Sequence, residues 1–522
     1  MTSPIAFELG RVGRIDNGDG QLSIWNVAWV ARTLPIDPRH VFDANIFYPH
    51  TGTLAYSEAN LGAGLLAVPV YWLTGNAYAA HNSAVLAAFL LSIIGMYYLV
   101  RYLTGDRRGA VVAAVCFGFC PYVFAHLPHI QLLMTAGLPF TMLAFHRLVD
   151  RPTLARGAAL GAVMAAQALS CGYYGVFTIL MVGFGVLVLI VTRGIWASRQ
   201  FLLAMVIAAM VAVALVAPAF RFYFALQTGE GFGRSLDEAV RYSANWSAYL
   251  ASSAFAHGWM LGLLPRWNEV LFPGFVATML GVAGAWMVRR QQRGELLAIY
   301  GGLALLAFWA SFGPAAGLYS MLYHTVPAFS WLRAPARFGL LVAFALSVLA
   351  GAGLSAALSG MRAPGRSRIM VLAVATIAAG ELLVQLNLPR VPPVENVYRM
   401  LARSPRGPVI EMPFYYPEVG LFQHVKYMLA STSHWMPLVN GYSDFIPPDF
   451  IDHVHTLAAF PSRDAFRVLE PGRVRYAVFH MYGYNTENRN DVEGRLREFE
   501  PYMRLLYSDE GSRLYEITSF PK

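Results

Sequence analysis

The sequence predicts an α-helical polytopic membrane protein with about ten spans and a C-terminal α/β domain outside the membrane. Hydrophobic residues make up 57% of the 522 residues and charged residues only 13%, whereas soluble proteins carry about 25% charged residues. The hydrophobic residues concentrate between residues 78 and 388, in runs close to the ~20 residues that a bilayer core requires. The chain after residue 389 is of mixed polarity.

Ten apolar segments have the length and composition of membrane-spanning helices. Arginines concentrate in alternate connections between them, and the positive-inside rule places those connections in the cytoplasm. We therefore predict an outer N-terminal loop (residues 1–77), a transmembrane domain (78–389) and an outer, periplasmic α/β domain (390–522). The ten segments are residues 78–103, 110–125, 130–148, 155–171, 176–191, 201–220, 270–288, 296–312, 338–358 and 369–388.

The net charge of +9 does not indicate a nucleic-acid partner. The basic residues are spread over short loops between apolar runs, rather than gathered in the stripe that follows a phosphate backbone. The three cysteines lie inside apolar runs, so the spacing indicates neither a disulfide framework nor a zinc site.

Two apolar segments of the N-terminal loop are predicted to lie on the outer face of the membrane that the protein spans. Residues 21–31 (QLSIWNVAWVA) have the pattern of an amphipathic helix whose Trp25 and Trp29 suit an interface. Residues 61–73 are apolar, but they are only 13 residues long and include Pro69. That length favours an interfacial or re-entrant helix over a span.

Two carboxylates in this loop are candidates for chemistry. Asp16 and Asp19 lie in the segment RIDNGDGQLSIWN, immediately before the first predicted surface helix. Acidic residues at a helix start commonly cap free backbone N–H groups, and capping is the simpler interpretation of at least one of them. A pair of carboxylates beside a glycine turn at a membrane surface also suits a general base.

Five basic residues are predicted at the outer boundary of the spans. His126 and His129 form an HLPH unit; such a pair can bind metal where further ligands converge, but none is evident, so a phosphate contact or a polar turn is favoured. Arg221, Arg333 and Arg337 lie near prolines. Burying an unpaired cation costs ~2.5–3.5 kcal/mol, so each is either a functional residue or an arginine that reaches the lipid headgroups.

The C-terminal domain alternates short strands and helices. Strands are predicted for VIEMP, PLVNG and RYAVFHM, helices for LFQHVKYMLAST, FIDHVHTLAAF and DVEGRLREFE, and a hairpin for RLLYSDEGSRLYEI. Its aromatic and histidine side chains either line a binding surface or pack in a core. They are Tyr415, Tyr416, His424, His434, Trp435 and Tyr442.

The N-terminal loop resembles the first outer loop of the GT-C superfamily of membrane glycosyltransferases. The resemblance rests on a D-x-x-D motif and a W-x-x-x-W helix, followed by FDANIFYP, LAYSE and a short apolar helix. The segments LRAPARF and VIEMP…HWMPLVNGYSDFIPP resemble a bacterial branch of the same superfamily. These enzymes have a spanning helix ahead of the loop. Here no apolar run precedes Asp16, so either the tail is exported with the first hairpin or an upstream helix is missing.

The resemblance implies that Asp16 or Asp19 is the catalytic base and that Glu58 occupies the position of a further acid. It implies a polyprenyl-phosphate-linked sugar as donor, a glycan, lipid or protein as acceptor, and the bacterial cytoplasmic (inner) membrane as location, with membrane lipids and without nucleic acid as partners. No cofactor is indicated, although a divalent metal is compatible with this chemistry. With Glu58, the predicted substrate or phosphate-binding residues are His126, His129, Arg221, Arg333 and Arg337.

We therefore expect an inverting glycosyltransferase that moves a sugar from a polyprenyl-phosphate carrier to an acceptor hydroxyl at the outer face of the membrane. One alternative is a lipid or glycan flippase or transporter, which would line a path at mid-membrane depth with polar residues, and the spans contain few of these. The other is a non-catalytic scaffold in surface-glycan assembly.

Overall fold

A computed structural model of the chain describes residues 2–15, 18–195, 198–231, 233–359 and 364–522. Within these residues the fold is mostly helical, and four strands form one sheet near the C-terminus. The strands are β1 (Val409–Met412), β2 (Tyr476–His480), β3 (Met503–Ser508) and β4 (Ser512–Ile517). The helices are α1 (Gly18–Thr33), α2 (Leu61–Thr74), α3 (Ala77–Thr104), α4 (Arg107–Gly118), α5 (Pro121–Ala125), α6 (Ile130–Leu133), α7 (Gly137–Asp150), α8 (Leu154–Ser170), α9 (Gly172–Arg193), α10 (Arg199–Glu230), α11 (Leu236–Arg241), α12 (Gly258–Leu261), α13 (Phe275–Arg290), α14 (Gly294–Ser311), α15 (Leu318–Thr325), α16 (Gly339–Ser359), α17 (Pro364–Glu381), α18 (Asn396–Arg403), α19 (Val425–Ala430), α20 (Pro448–Ala458), α21 (Arg463–Leu469) and α22 (Thr486–Glu498).

The chain divides into two compact units. The helical unit comprises Met1–Phe7 and Ala84–Asn387, and the mixed unit comprises Glu8–Ser83 and Leu388–Lys522. Most of the N-terminal loop and the C-terminal domain, which we predicted from the sequence as separate regions, therefore belong to the same unit.

Each of the ten predicted spans overlaps helical structure, and the prediction of a multi-pass helical membrane protein is confirmed. Within the described residues, six helical stretches are long and apolar enough to cross a membrane. The remaining predicted spans correspond to α6 with α7, to α8, to α13 and to α17. The six stretches are Ala77–Thr104, Arg107–Ala125, Gly172–Arg193, Arg199–Glu230, Gly294–Ser311 and Pro335–Ser359.

Glycines bring helices of the helical unit into backbone contact. A Cβ atom on Gly157 or Gly161 of α8 would lie 2.2 Å from a backbone oxygen of α10. The four-residue spacing places both glycines on one face of α8, in the arrangement that lets membrane helices approach closely. In the same way, a Cβ atom on Gly353 of α16 would lie 2.2 Å from the Cα atom of Gly284 on α13.

Helix α1 is the interior helix of the mixed unit, so the prediction of an amphipathic surface helix is wrong. It is helical as predicted, but most of its residues are buried, because α2 and α19 pack against it. Trp25 Nε1 donates to Asn45 Oδ1 (3.1 Å), and Trp29 Nε1 donates to the carbonyl of Val41 (2.8 Å). Asn45 Nδ2 in turn donates to Ser431 Oγ and to the carbonyl of Met436, each at 3.0 Å.

Helix α2 has one buried face and one exposed apolar face. Its small residues Ala63, Gly64 and Ala67 are buried, and a Cβ atom on Gly64 would lie 2.3 Å from a side-chain carbon of Val30 on α1. The opposite face exposes its large apolar side chains, including Leu65, Trp72 and Leu73. The helix has only 14 residues, so it keeps the short, apolar character that predicts an interfacial position.

The sheet has the order β1-β2-β4-β3, with β1 parallel to β2 and the other pairs antiparallel. The predicted strands VIEMP and RYAVFHM and the C-terminal hairpin are confirmed. The predicted strand PLVNG is wrong, since residues 437–441 make only an isolated bridge, between Leu438 and Val409. The backbone of this segment pairs with the N-terminal loop instead: Leu438 N–H donates to the carbonyl of Asn45 (2.9 Å), and Tyr48 N–H donates to that of Leu438 (2.8 Å).

We predict that Gly161→Leu destabilises the helical unit, because the new side chain would force α8 away from α10. Overpacking of this kind costs about 1–3 kcal/mol, and it should lower the melting temperature of the detergent-solubilised protein. Gly183→Leu on α9 is the matched control, since no atom lies within 4 Å of its Cβ position. Equal melting temperatures for the two variants would contradict the proposed crossing.

Candidate functional site

Asp19 lies in the first turn of α1 and its side chain is exposed. The chain before the helix folds back on it: Gln21 Nε2 donates to the carbonyl of Ile15 (2.7 Å), and a Cβ atom on Gly20 would lie 2.1 Å from the carbonyl oxygen of Arg14. The N-terminus of a helix favours a negative charge, and Asp19 is therefore well placed as a carboxylate. Asp16, the other predicted acid, lies outside the described residues.

A cleft of about 770 Å³ lies in the mixed unit beside this segment. Ile15 and Gln21, which flank the predicted acids in sequence, both line it. The remaining walls come from the start of the chain, the α2–α3 connection, residues 390–395 and the region of α18 and α19. Its charged lining residues are Glu8, Arg11, Arg390, Glu395 and Lys426.

The backbone of Glu58 is hydrogen-bonded to a residue of α1 that lies further along the helix than Asp19. Its backbone carbonyl accepts hydrogen bonds from Asn26 Nδ2 (3.0 Å) and from Asn60 Nδ2 (3.2 Å). Asn26 lies seven residues after Asp19, which is about 10 Å along the helix axis. The structure therefore fixes the backbone of Glu58 about two turns from Asp19.

His126 forms a buried pair with Glu269 in the helical unit. The Nε2 atom of His126 lies 3.2 Å from Glu269 Oε2, and its Nδ1 atom lies 2.8 Å from the carbonyl oxygen of Tyr122. Both ring nitrogens thus face oxygen atoms. Burial raises the pKa of Glu269, but the attraction and hydrogen bond of His126, with smaller contributions from the Val270 N–H and from Arg337, outweigh it and lower the pKa below its ordinary value.

His129 and Arg337 belong to the same region of the helical unit. The ring of His129 lies 6.3 Å from that of His126. The guanidinium of Arg337 lies 4.7 Å from the ring centroid of Tyr173, and its charge acts on Glu269. The structure thus brings together three of the predicted outer cations, and it adds Glu269, which the sequence analysis missed.

Arg333 and Arg221 have different surroundings. Arg333 Nη1 lies 3.8 Å from Glu238 Oε1, which also accepts a hydrogen bond from Arg234 (3.2 Å). Arg221 is exposed within α10, more than two turns before the helix ends at Glu230, with its guanidinium 4.7 Å from the ring centroid of Phe222. In the part of the chain that the structure describes, Arg221 and Arg337 form no ion pair with a carboxylate, whereas the charge of Arg333 is partly neutralised.

Glu411 and His480 form a second buried ion pair, on neighbouring strands of the mixed unit. His480 Nε2 donates to Glu411 Oε2 at 2.7 Å, and Tyr398 Oη lies 3.1 Å from the same nitrogen. On the other side, His480 Nδ1 lies 3.7 Å from Glu395 Oε2 and 3.3 Å from Ser512 Oγ. Burial lowers the pKa of His480, but its two carboxylate partners outweigh this effect and raise the pKa to about 9. The interaction with His480 in turn lowers the pKa of Glu395.

The sequence offered one signal for this pair. Glu411 is an acidic residue inside a strand whose four residues are all buried, and His480 ends another fully buried strand. Charged residues are almost never fully buried unless they are paired. An acidic residue inside the apolar run VIEMP therefore indicates that a positively charged partner is buried beside it. Nothing in the sequence identifies that partner.

Most of the predicted binding-surface side chains of the C-terminal domain pack in its core. His424 is fully buried, with Nε2 2.8 Å from the carbonyl oxygen of Tyr415 and Nδ1 accepting from Asn440 Nδ2. Trp435 is buried against Trp29. His434 is buried as well, whereas Tyr416 and Tyr442 are half-buried. The packed core is thus the better interpretation of this set.

Among the residues that the structure describes, no group of three or more histidine, cysteine, aspartate or glutamate side chains is arranged to hold a metal ion.

No protein-family model matches the chain, and no curated protein matches it. Among solved structures, the chain is similar to ArnT from Cupriavidus metallidurans in the apo state, with 14% sequence identity and a TM-score of 0.48 over 100% of this chain and 98% of that chain. It is also similar to ArnT from Cupriavidus metallidurans bound to undecaprenyl phosphate, with 14% identity and a TM-score of 0.40 over 95% of this chain and 96% of that chain.

We predict that the stability of the mixed unit depends on pH because of the ion pair of His480. Because the pKa of His480 is raised from 6.5 to about 9 on folding, its stabilising contribution is complete below pH 6.5 and is lost as the pH rises through 9. The melting temperature of the wild-type protein should therefore fall more steeply between pH 6.5 and 9.5 than that of His480→Gln. His40→Gln is the control, since His40 is an exposed histidine of the same unit. In this variant the melting temperature should fall with pH as steeply as in the wild type. A His480→Gln profile parallel to the wild type would refute the assignment.

Proposed function

We propose that the chain is an inverting glycosyltransferase of the GT-C type, which moves a sugar from a polyprenyl-phosphate carrier to an acceptor hydroxyl at the outer face of the bacterial cytoplasmic membrane. One observation carries the proposal. Asp19 is an exposed carboxylate at the start of α1, two residues before Gln21, which lines a large cleft with charged walls. The loop motif that resembles the GT-C superfamily contains this same residue.

The proposed chemistry needs one base and one site for the departing phosphate. A carboxylate, Asp16 or Asp19, accepts the proton of the acceptor hydroxyl, and the hydroxyl oxygen attacks the anomeric carbon from the side opposite the phosphate. The bond between the anomeric carbon and the phosphate oxygen breaks as the new glycosidic bond forms. The polyprenyl phosphate leaves with the electron pair, and the anomeric configuration is inverted. A positioned base contributes about 10²–10⁴-fold to such a step.

Basic residues of the helical unit are the proposed contacts of the carrier phosphate. Arg337 is the strongest candidate because it forms no direct ion pair with a carboxylate among the described residues, and Glu269 interacts with its charge only from beyond ion-pair distance. A cation at the membrane boundary is costly unless it serves a ligand. His126 and His129 accompany it. We give Arg333 less weight because Glu238 lies near its guanidinium.

We predict that Asp16→Asn or Asp19→Asn lowers sugar transfer by at least about 10²-fold, since an amide cannot accept the hydroxyl proton. The assay uses purified protein in nanodiscs with a panel of radiolabelled undecaprenyl-phosphate sugars and a bacterial membrane fraction as acceptor. Asp37→Asn is the control, because Asp37 is an exposed carboxylate of the same loop that pairs with His40.

Three results of this assay decide between the candidate functions. Loss of transfer in one or both variants supports the base assignment. Full activity in both variants rejects that assignment. Folded wild-type protein that transfers no sugar from any donor rejects the glycosyltransferase, and it leaves the flippase and the scaffold as the alternatives.

Arg337→Gln should raise the KM for the lipid-linked donor by about 10-fold or more, because a hydrogen bond between two charged groups contributes about 1.5–3 kcal/mol. Arg333→Gln is the matched control from the same segment and should have a smaller effect. The KM values come from the same assay at varied donor concentration. A larger effect of Arg333→Gln would reverse the assignment of the two arginines.

A further inference from the structure

The cleft of the mixed unit has the size and lining of a small-molecule site. Its volume of about 770 Å³ falls within the ~300–1,000 Å³ typical of ligand pockets. Polar residues from four separate segments line it, two of them tyrosines. These residues are Gln21, Thr74, Asn76, Tyr78, Tyr398, Thr432 and Ser433.

Three cations of this cleft form no ion pair with a carboxylate among the described residues, and two carboxylates, Glu8 and Glu395, also line the cleft. Arg11 and Arg390 are held on paired backbone segments: the Val391 N–H donates to the carbonyl of Arg11 (2.9 Å), and the Gly13 N–H donates to that of Pro389 (3.2 Å). Within the described ranges, neither arginine forms an ion pair with a carboxylate, and neither does Lys426. The three cations and two carboxylates leave an excess of positive charge in the lining, which an anionic ligand would offset.

The side chain of Lys426 is held in place by aromatic neighbours. Its Nζ atom donates to Tyr415 Oη and lies 4.6 Å and 5.1 Å from the ring centroids of Tyr415 and Tyr427. Such contacts hold an ammonium group by cation–π attraction without neutralising its charge. Lys426 is therefore a preorganised cation with donors left for a ligand.

Glu395 is the carboxylate that the buried pair of the sheet orients. It accepts hydrogen bonds from Tyr482 Oη (3.1 Å) and Ser512 Oγ (3.2 Å), and His480 lies behind it, backed by Glu411. Burying two charges costs several kcal/mol before they pair. This pair supports two residues of the cleft wall, Glu395 and Tyr398. An ionised carboxylate accepts hydrogen bonds only, and it therefore suits ligand hydroxyl groups.

We propose that this cleft binds the acceptor of the transfer reaction, and that the acceptor is a saccharide bearing an anionic group, with Lys426 contacting the anion and Glu395 accepting from sugar hydroxyls. The role as acceptor rests on the proposed function, whereas saccharide binding by the cleft does not. The anionic group is a carboxylate or a phosphate, and the test below distinguishes the two.

The test measures binding to the full chain in nanodiscs, without donor, by microscale thermophoresis. The probes are trehalose 6-phosphate, a glucuronate-containing disaccharide and neutral trehalose. At least one anionic probe should bind about 10-fold more tightly than trehalose, and added salt should remove this difference because it screens exposed charges. Equal affinity of all three probes, or no saturable binding, overturns the proposal.

Three variants locate the contact. Lys426→Gln should lower the affinity for the anionic probe to that for trehalose, and Lys426→Arg should restore most of it, which separates loss of charge from loss of folding. Glu395→Gln should weaken trehalose and the anionic probe alike. Arg463→Gln is the control, since Arg463 is an exposed cation of the same unit outside the cleft. An anionic preference that survives in Lys426→Gln overturns the assignment.

The binding assay also separates this inference from the proposed function. If the protein binds the anionic probe but transfers no sugar, the proposed saccharide site is supported and the proposed transferase function is rejected. If it transfers sugar but shows no preference for the anionic probe, the transferase function is supported and the saccharide site is rejected.

Discussion

The side-chain amide of Asn45 is the contact on which the mixed unit depends. Its oxygen accepts from Trp25 on α1, and its nitrogen donates to Ser431 and to the carbonyl of Met436, nearly four hundred residues later in the chain. A buried amide left without these partners would cost ~1–3 kcal/mol for each unsatisfied group. The amide thus ties the helix that carries Asp19 to the segments that form the far walls of the cleft. The FDANIFYP motif is in this sense structural, although it marks a loop predicted to be catalytic.

The helical part of the fold could be predicted from the sequence because its rules are local. An apolar run must satisfy its own backbone hydrogen bonds in lipid, and the α-helix does so within one segment. The error at α1 has the same origin. Its tryptophans have the pattern of an interfacial helix, but the rings that cover them come from the C-terminal domain, as Trp435 does for Trp29, and no local pattern reports such a contact. The segment PLVNG fails as a strand for a similar reason, since its backbone partners lie in the N-terminal loop.

The candidate site was predictable only where a motif marked it. Asp19 was predicted from its place before a helix, whereas Glu269 and the Glu411–His480 pair are assembled by contacts between residues 69 or more positions apart. The sequence also gave no means of ranking Arg333 against Arg337, which flank the same proline. Folding brings Glu238 to 3.8 Å from Arg333, whereas Glu269 interacts with Arg337 from beyond ion-pair distance. Charge compensation is a property of the folded chain, and the residue type alone does not reveal it.

Glu395 lies between two clefts of the mixed unit. The carboxylate lines the large cleft and also a second cleft of about 630 Å³, whose other charged residues are Arg399, Asp509 and Glu510. Two ligands that need the same oxygen atoms compete for them, whereas a cation in the second cleft would leave fewer lone pairs for a ligand in the first. Ligands of the two clefts that both contact Glu395 would change each other's affinity by the same factor, as thermodynamic linkage requires. A single glutamate thus belongs to the walls of both clefts.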